Sequence, residues 1–371
     1  MYDLLEFLEP INTSSFNNDK EYNDEQLVNF ISAYVDELPD VEEADIVLVG
    51  ISGNETMMDN NGANAIRKQF YQLHYWHTDI QIADIGNILA GATLDDTYAA
   101  VKTVLAELLR MKKTVVLLGS SHDITLAQYF AYRELQQIIE VSVIDAAIDL
   151  KNESNIKSEN FLMEMLTGEP NFIKHYNHIG FQSYLVHPRI LETMDKLRFD
   201  CYRVGMAKES IEEMEPVIRN TDLLSIDISA IKWSDAPANY CSPSGFSGEE
   251  ACMLTRFAGM SNKLSSFGIY GFDPAYDVNE LTAKQIAQML WYFVDGKSRS
   301  KQEAIPEDRH NFNEFHTAFT NLDTTFLQSK KTGRWWMQLP DKKLIACSYK
   351  DYVNASNNEI PERWLRAQER D

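Results

Sequence analysis

Short apolar segments rich in β-branched residues alternate with longer segments of helical periodicity along most of this chain of 371 residues. Several short segments, such as residues 46–51 and 114–118, are apolar at consecutive positions, which is typical of strands buried on both faces. The eight predicted strands are residues 46–51, 81–85, 114–118, 141–144, 178–181, 201–204, 223–228 and 265–269. Because strands that alternate with helices indicate βαβ units, we predict a three-layer α/β fold with a mostly parallel eight-stranded sheet and helices on both faces.

This alternation divides the chain into three predicted regions. Residues 1–40 are polar and acidic, and we predict a loosely attached N-terminal arm with one short helix around residues 25–38. Residues 41–297 contain the alternating segments and form the predicted α/β domain. Residues 298–371 begin with many charges but include Trp335 and Trp336, so we predict a C-terminal extension that packs on the domain or on a neighbouring subunit.

The composition excludes several classes of partner. The chain has 34 Lys and Arg against 56 Asp and Glu, a net charge of −22, which opposes binding to nucleic acid or to an anionic membrane surface. The first ten residues contain no basic residue, unlike a signal peptide, and no apolar run approaches the ~20 residues of a membrane span. Four cysteines without C-x-x-C spacing predict no disulfide framework. We therefore expect a cytoplasmic protein.

Acidic residues follow three of the predicted strands. His122 and Asp123 come after the third strand, Asp145 and Asp149 after the fourth, and Asp227 lies at the end of the seventh. Ligands of parallel α/β sheets bind beyond the carboxyl ends of the strands, where these side chains would converge. Buried carboxylates are costly to ionise without a cation, and carboxylates with one imidazole suit Mn²⁺ or a similar ion. Each residue taken singly also fits a helix cap or a buried polar group, so both interpretations stay open on spacing alone.

The same residues lie in motifs that resemble those of the ureohydrolase family of arginase, agmatinase and formimidoylglutamase. The motifs are Gly119-Ser120-Ser121-His122-Asp123 (family Gly-Gly-Asp-His-Ser), Asp145-Ala146-Ala147-Ile148-Asp149 (Asp-Ala-His-x-Asp), residues 225–233 (Ser-x-Asp-x-Asp-x-x-Asp-Pro) and Gly271-Phe272-Asp273-Pro274 (Glu-Val-Asn-Pro). Their order and spacing agree over residues 41–297, so the resemblance implies the arginase-like fold. Formimidoylglutamase looks the most similar member.

The resemblance implies a site in which six side chains bind two manganese ions, and four of the six match here. The matching residues are His122, Asp145, Asp149 and Asp227. The other two positions hold Ala147 in place of His and Ser229 in place of Asp. In the family, the positions of Asp145 and Asp227 bridge both metals, and the two lost ligands serve only the second metal. The resemblance thus implies a first site that holds one Mn²⁺ or another divalent ion; the alternative is a site that holds none.

Two further family features differ. The Glu that faces the guanidinium in arginases aligns with Gly271, which has no side chain. Lys232 and Trp233 replace the Asp-Pro pair beside the third motif. Lys232 either neutralises the surviving acids in place of the second metal or points to solvent. Asp123 and Lys232 are the candidates for replacement site residues.

These observations favour an arginase/formimidoylglutamase-family protein with a degenerate two-metal centre that is impaired or inactive as a hydrolase and binds a single metal. No catalytic residue is assigned. The alternative is a working formimidoylglutamase-like, metal-dependent hydrolase of linear amidine C–N bonds, and a third interpretation is a structural subunit without any ligand. The resemblance also implies a homo-oligomer, as in ureohydrolase trimers and hexamers, and a small amidine or guanidino-type ligand.

Overall fold

The computed structural model describes residues 2–13, 16, 23–52, 61–119, 121–151, 153–239, 241–320 and 322–370, so Ser120 of the first motif lies outside the described residues. The strands are β1 Leu8–Glu9, β2 Ile31–Ala33, β3 Ile46–Ile51, β4 Ile82–Ile88, β5 Thr114–Leu118, β6 Ile139–Ile144, β7 Ile173–Phe181, β8 Asp200–Arg203, β9 Leu223–Asp227, β10 Ser266–Tyr270, β11 Phe312–Phe319, β12 Leu322–Ser329, β13 Trp335–Gln338 and β14 Leu344–Cys347. The helices are α1 Gly62–Phe70, α2 Leu94–Arg110, α3 Ile124–Glu134, α4 Lys157–Thr167, α5 Pro188–Lys196, α6 Val204–Glu209, α7 Met214–Arg219, α8 Gly248–Gly259, α9 Leu281–Lys301, α10 Tyr349–Ser356 and α11 Glu362–Arg370.

The main sheet contains β1 to β10. Its order is β1-β4-β3-β5-β10-β9-β6-β7-β8, and β2 also pairs with β4. Every strand pair in this sheet is parallel except β1 with β4. The eight predicted strands correspond to β3 to β10, which confirms the predicted three-layer, mostly parallel α/β fold. The two short strands β1 and β2 were not predicted.

Helices cover both faces of the main sheet, and each face has its own hydrophobic core. Ile46 and Leu48 of β3 lie in one core, whereas the alternate residues Val47 and Val49 lie in the other. This is why β3 is apolar at consecutive positions. Helix α2 begins at a residue that can cap its free N–H groups. The hydroxyl of Thr93 accepts a hydrogen bond from the backbone N–H of Asp96. None of the helices in the described ranges has the length and apolar character needed to cross a membrane.

The N-terminal residues are attached to the sheet, and the short helix predicted around residues 25–38 is wrong. Residues Leu27–Asn29 form one 3₁₀ turn, and Ile31–Ala33 form strand β2. Leu27 and Ile31 are buried in the main core, and the backbone N–H of Tyr34 donates to Asp84 in β4. Pairing with the edge of the sheet outweighs the weak local preference for a helix.

The C-terminal residues form a second, antiparallel sheet in the order β11-β12-β13-β14. One face, which includes Trp335, packs with residues of α10 and α11. The opposite face carries Trp336, whose ring lies 4.4 Å from the guanidinium carbon of Arg219 and 5.7 Å from that of Arg334. Arg219 of α7 also donates a hydrogen bond of 2.8 Å to the carbonyl of Trp335. The extension thus contacts the main α/β unit through Trp336 and the two arginines.

Candidate metal centre

A cavity of about 460 Å³ lies at the carboxyl edge of the main sheet, where β5, β10, β9 and β6 are neighbours. Ligands of parallel α/β sheets bind at this edge. Seven of the residues singled out in the sequence line the cavity: His122, Asp145, Ala147, Asp149, Asp227, Ser229 and Gly271. The fold therefore brings together residues that are far apart in the sequence.

Three strands position the four side chains that match family ligands. His122 lies between β5 and α3, and Asp145 and Asp149 follow β6 directly. Asp227 is the last residue of β9. Because Ile144 pairs with Ile226 in the ladder between β6 and β9, Asp145 and Asp227 lie at the same level of the sheet.

The imidazole of His122 faces all three carboxylates. Its Nδ1 atom is 2.8 Å from Asp149 Oδ2, 3.3 Å from Asp145 Oδ2 and 3.8 Å from Asp227 Oδ2. Its Nε2 atom is 3.0 Å from the hydroxyl of Ser225, and this contact fixes the orientation of the ring. One ligand atom each from His122, Asp145 and Asp149 lie within 4.8 Å of one another. This spacing suits the binding of one ion.

Burial makes it unfavourable for all three carboxylates of the cluster to be ionised unless positive charge is added. Burial and the charge of Asp145 raise the pKa of Asp149 well above its usual range, and the same two causes raise the pKa of Asp227 to about 6. Burial opposes the charged form of His122, but hydrogen bonds to Asp145 and Asp149 hold its pKa well above the usual value. Burial also opposes ionisation of Asp145, but its contacts with His122 hold its pKa below the usual range. The cluster therefore favours a bound cation or extra protons.

Ser229 contacts the carboxylate oxygens that do not face His122. Its hydroxyl donates a hydrogen bond to Asp145 Oδ1, and its backbone N–H donates to Asp227 Oδ1 at 2.7 Å. The backbone N–H of Ala147 also donates to Asp145 Oδ1, at 3.2 Å, and its methyl side chain offers no ligand atom. Both Oδ1 atoms are therefore engaged by the protein itself, whereas the Oδ2 atoms face the imidazole.

Gly271, which follows β10, leaves space that Asp227 fills. A Cβ atom at position 271 would lie 2.6 Å from Asp227 Oδ2 and 2.8 Å from Oδ1. Real Cβ atoms essentially never come so close to another heavy atom. Gly271 also has a φ of +77°, which favours glycine over other residues. A side chain at this position is excluded while Asp227 keeps its position.

The two candidates for replacement site residues, Asp123 and Lys232, do not line the cavity. Asp123 is buried and accepts a hydrogen bond from the hydroxyl of Tyr98. The ammonium group of Lys232 lies 3.2 Å from Asp235. Lys232 thus pairs with a carboxylate outside the cluster, and the suggestion that it neutralises the surviving acids stays a prediction.

Among the polar residues of the cavity that were missed in the sequence, three are Lys151, Asn239 and Cys241, and two more are Ser158 and Glu159 of α4. Lys151 lies two residues after Asp149, and its ammonium group is 3.0 Å from Glu159 of α4. Burial and the nearby carboxylates raise the pKa of Cys241 to about 11, so its thiol stays protonated at neutral pH. The position of Lys151 next to the second motif was the only signal for any of the three.

Comparison with known proteins places this geometry in context. The model of the Arginase family matches residues 44–295. Formimidoylglutamase from Staphylococcus haemolyticus is 23% identical over 266 residues, which are 66% of this chain and 82% of the relative. Formimidoylglutamase from Vibrio cholerae is 24% identical over 295 residues, which are 70% of this chain and 87% of the relative.

Solved structures agree in fold. Trypanosoma cruzi formiminoglutamase, whose crystal structure contains Mn²⁺, superposes with a TM-score of 0.65 at 18% identity, over 74% of this chain and 99% of that chain. Formimidoylglutamase from Bacillus subtilis superposes with a TM-score of 0.65 at 17% identity, over 76% of this chain and 95% of that chain.

Proposed function

Since this chain belongs to the arginase family, we propose that it is a formimidoylglutamase-like protein that binds one divalent metal ion and is impaired or inactive as a hydrolase of amidine C–N bonds. The observation that carries this proposal is the position of Ser229. Its hydroxyl and backbone N–H are bonded to the two carboxylate oxygens that a second ion would need. The metal centre is thus reduced from two sites to one.

The residues of the first site fit one ion. His122 Nδ1 and the Oδ2 atoms of Asp145, Asp149 and Asp227 would hold it, and an imidazole with three carboxylates suits Mn²⁺. The Mn²⁺ in Trypanosoma cruzi formiminoglutamase supports this choice of metal. A bound divalent ion supplies Lewis acidity, and Ser225 orients the imidazole of His122 toward it.

The residues of the second site do not fit an ion. Ala147 contributes no ligand atom, and Ser229 contributes a neutral hydroxyl that already donates to Asp145. Two-metal sites stabilise charge on both sides of a reacting group, whereas a one-metal site stabilises charge on one side only. Gly271 adds to the loss, because it provides no carboxylate to orient a cationic substrate. We therefore expect hydrolysis to be slower by orders of magnitude than in relatives with both metals.

One observation favours the alternative of a working hydrolase. The cavity of about 460 Å³ lies directly over the intact first site and is within the ordinary range for small-molecule sites. Lys151, which lines the cavity, gives it an ammonium group that can contact a carboxylate of an amidine ligand such as formiminoglutamate. A functional one-metal hydrolase would use the same four ligands, so only an activity measurement separates the two proposals.

Metal content per chain tests the number of sites. The protein is dialysed with Mn²⁺ and then against metal-free buffer, and its manganese is counted by mass spectrometry. We expect about one ion per chain, none in Asp145→Ala, and one in the matched control Asp235→Ala, whose carboxylate pairs with Lys232 outside the cavity. Two ions per chain would refute the reduced centre, and no ion would refute the metal site.

Activity is then measured on formiminoglutamate, agmatine and arginine with Mn²⁺ present. No turnover above background, together with one bound ion, supports the impaired or inactive protein. Turnover that disappears in His122→Ala and persists in Asp235→Ala would establish the alternative. The comparison uses the same preparations as the metal count, so loss of metal is not mistaken for loss of catalysis.

A further inference from the structure

The C-terminal sheet has one long open edge, formed by β11. This strand has eight residues, Phe312–Phe319, and lies at one end of the order β11-β12-β13-β14. The opposite edge strand, β14, contacts α7 of the main α/β unit. Within the described ranges, no strand pairs with the outer side of β11. Its outer edge therefore presents a row of backbone groups that a further strand can pair with.

The hydrogen-bond pattern tells which residues face outward. The backbone N–H of Lys330 donates to the carbonyl of Asn311, so this pair closes the end of the β11–β12 ladder. Antiparallel partners alternate between bonded and non-bonded pairs, and the register of β11 with β12 is continuous from Phe312 to Phe319. The odd-numbered residues of β11 thus bond to β12. The backbone groups of Glu314, His316 and Ala318 and the carbonyl of Phe312 point outward, whereas the N–H of Phe312 donates to the carbonyl of Arg309.

This edge lacks three of the features by which proteins block unwanted strand pairing. Over its eight residues β11 has no Pro, no Lys and no bulge in its register with β12. Asn313, Glu314, His316 and Ala318 are exposed. An exposed, regular edge of this length is a template for a further strand.

We propose that the outer edge of β11 pairs antiparallel with the same edge of a second copy of this chain, about a two-fold axis at Phe315. In this register Glu314 of one copy lies opposite His316 of the other, and the pair occurs twice. Phe312 of one copy lies opposite Ala318 of the other. The outward N–H and C=O groups of Glu314 and His316 pair with each other across the axis, the N–H of Ala318 pairs with the carbonyl of Phe312, and two four-stranded sheets become one continuous sheet.

Charge complementarity selects both the partner and the register. Moving the axis by one residue to Glu314 or to His316 places two like residues opposite each other, which is unfavourable across strands for the acidic pair. At Phe315 the carboxylate of Glu314 meets the imidazole of His316 instead, and Arg309, which is 3.7 Å from Glu314, places positive charge beside the same carboxylate. Such self-complementarity about an axis is what a two-fold interface requires. A single strand of another protein would need no such symmetry.

Sedimentation equilibrium of the full chain tests the interface. We expect a reversible dimer in the wild-type protein. Glu314→Lys replaces the carboxylate opposite His316 with an ammonium group in both cross-strand pairs, and it should raise the dimer dissociation constant about tenfold or more. The double variant Glu314→Lys, His316→Glu restores opposite charges and should restore the dimer. Asp323→Lys is the matched control, because it makes the same charge change on the exposed part of β12 without facing this edge.

A cross-link tests the register independently of charge. Asn313 of one copy lies opposite Thr317 of the other as a non-bonded pair, whose spacing suits a disulfide. The double variant Asn313→Cys, Thr317→Cys should form a disulfide-linked dimer on mild oxidation, and Asn313→Cys alone should not. A protein that remains monomeric at every concentration, or a dimer unaffected by Glu314→Lys, would overturn the interface. A charge-sensitive dimer without the disulfide would overturn the register.

Discussion

Replacing Ser229 with Asp restores a family ligand and should strongly destabilise the metal-free protein. Ser229 donates hydrogen bonds to the Oδ1 atoms of Asp145 and Asp227. An Asp at this position removes the hydroxyl donor and adds a third carboxylate beside two others. In the metal-free state Asp145 and Asp227 repel the added charge, whereas a bound second ion would compensate it.

The size of this effect follows from the contacts. Loss of a hydrogen bond to a charged group costs about 1.5–3 kcal/mol. Repulsion between two carboxylates ~4 Å apart adds about 4 kcal/mol at an effective dielectric constant of ~20. Protonation of the new group limits this second contribution, since neutralising a carboxyl of ordinary pKa ~3.9 at pH 7 costs about 4 kcal/mol. The two contributions together predict a loss of about 6 kcal/mol in the free energy of unfolding.

Urea unfolding in the presence of a chelator measures this loss directly. Ser229→Asn is the matched control, because Asn has nearly the same volume as Asp but no charge. This variant should lose about 1–3 kcal/mol in the free energy of unfolding. Added Mn²⁺ should stabilise Ser229→Asp more than the wild-type protein, since the variant offers ligand atoms on both sides of the cluster. If the chelated Ser229→Asp protein unfolds within about 1 kcal/mol of Ser229→Asn, the close contact of Ser229 with both carboxylates is refuted.

Three further substitutions test other parts of the structure. Gly271→Ala should reduce both the stability of the protein and its affinity for Mn²⁺, because the new Cβ meets Asp227. Gly333→Ala is its control: Gly333 has a similar positive φ but open space around it, so this variant should lose only about 1–2 kcal/mol in the free energy of unfolding. Equal losses of the two variants in thermal unfolding would contradict the crowding at Asp227. Trp336→Ala should lose about 3–5 kcal/mol in urea unfolding by removing the buried contact of the extension with Arg219; a loss below about 1 kcal/mol would show that the extension is not anchored there. Asp123→Asn should keep one manganese per chain, and loss of the metal would identify Asp123 as a ligand after all.

The fold could be predicted because its main signal is local. A strand such as β3 is apolar at consecutive positions since helices cover both faces of the sheet, and this pattern is visible in the sequence. The N-terminal residues lacked such a signal. Strand β2 has three residues and exists because it pairs with β4, so its conformation depends on a partner about fifty residues away. The helix predicted there rested only on the weak helix propensity of the local sequence.

The candidate site was predictable in its location but not in its contacts. Parallel strands end at one edge of the sheet, so the convergence of His122 with the acids after β6 and β9 follows from topology. The pairing of Lys232 with Asp235 depends on the path of one loop, and no pattern in the sequence indicates it. The same holds for Ser229, whose two hydrogen bonds join residues from β6 and β9 and need their relative positions.

The three altered positions of the site depend on one another. Ser229 holds Asp227 through its backbone N–H, and in this position the Asp227 carboxylate occupies the space next to Gly271. A Glu restored at position 271 would collide with Asp227, and a His restored at position 147 would gain no ion while Ser229 engages Asp145. A Glu at position 271 or a His at position 147, introduced alone, would thus face an Asp227 or an Asp145 carboxylate that is held by Ser229. The carboxylate oxygens that face His122 take no part in these contacts, so the four ligand atoms of the proposed single site remain together. On the proposed function, a second ion would need ligand atoms at positions 147 and 229, and a Glu at position 271 would in addition require the Asp227 carboxylate to move.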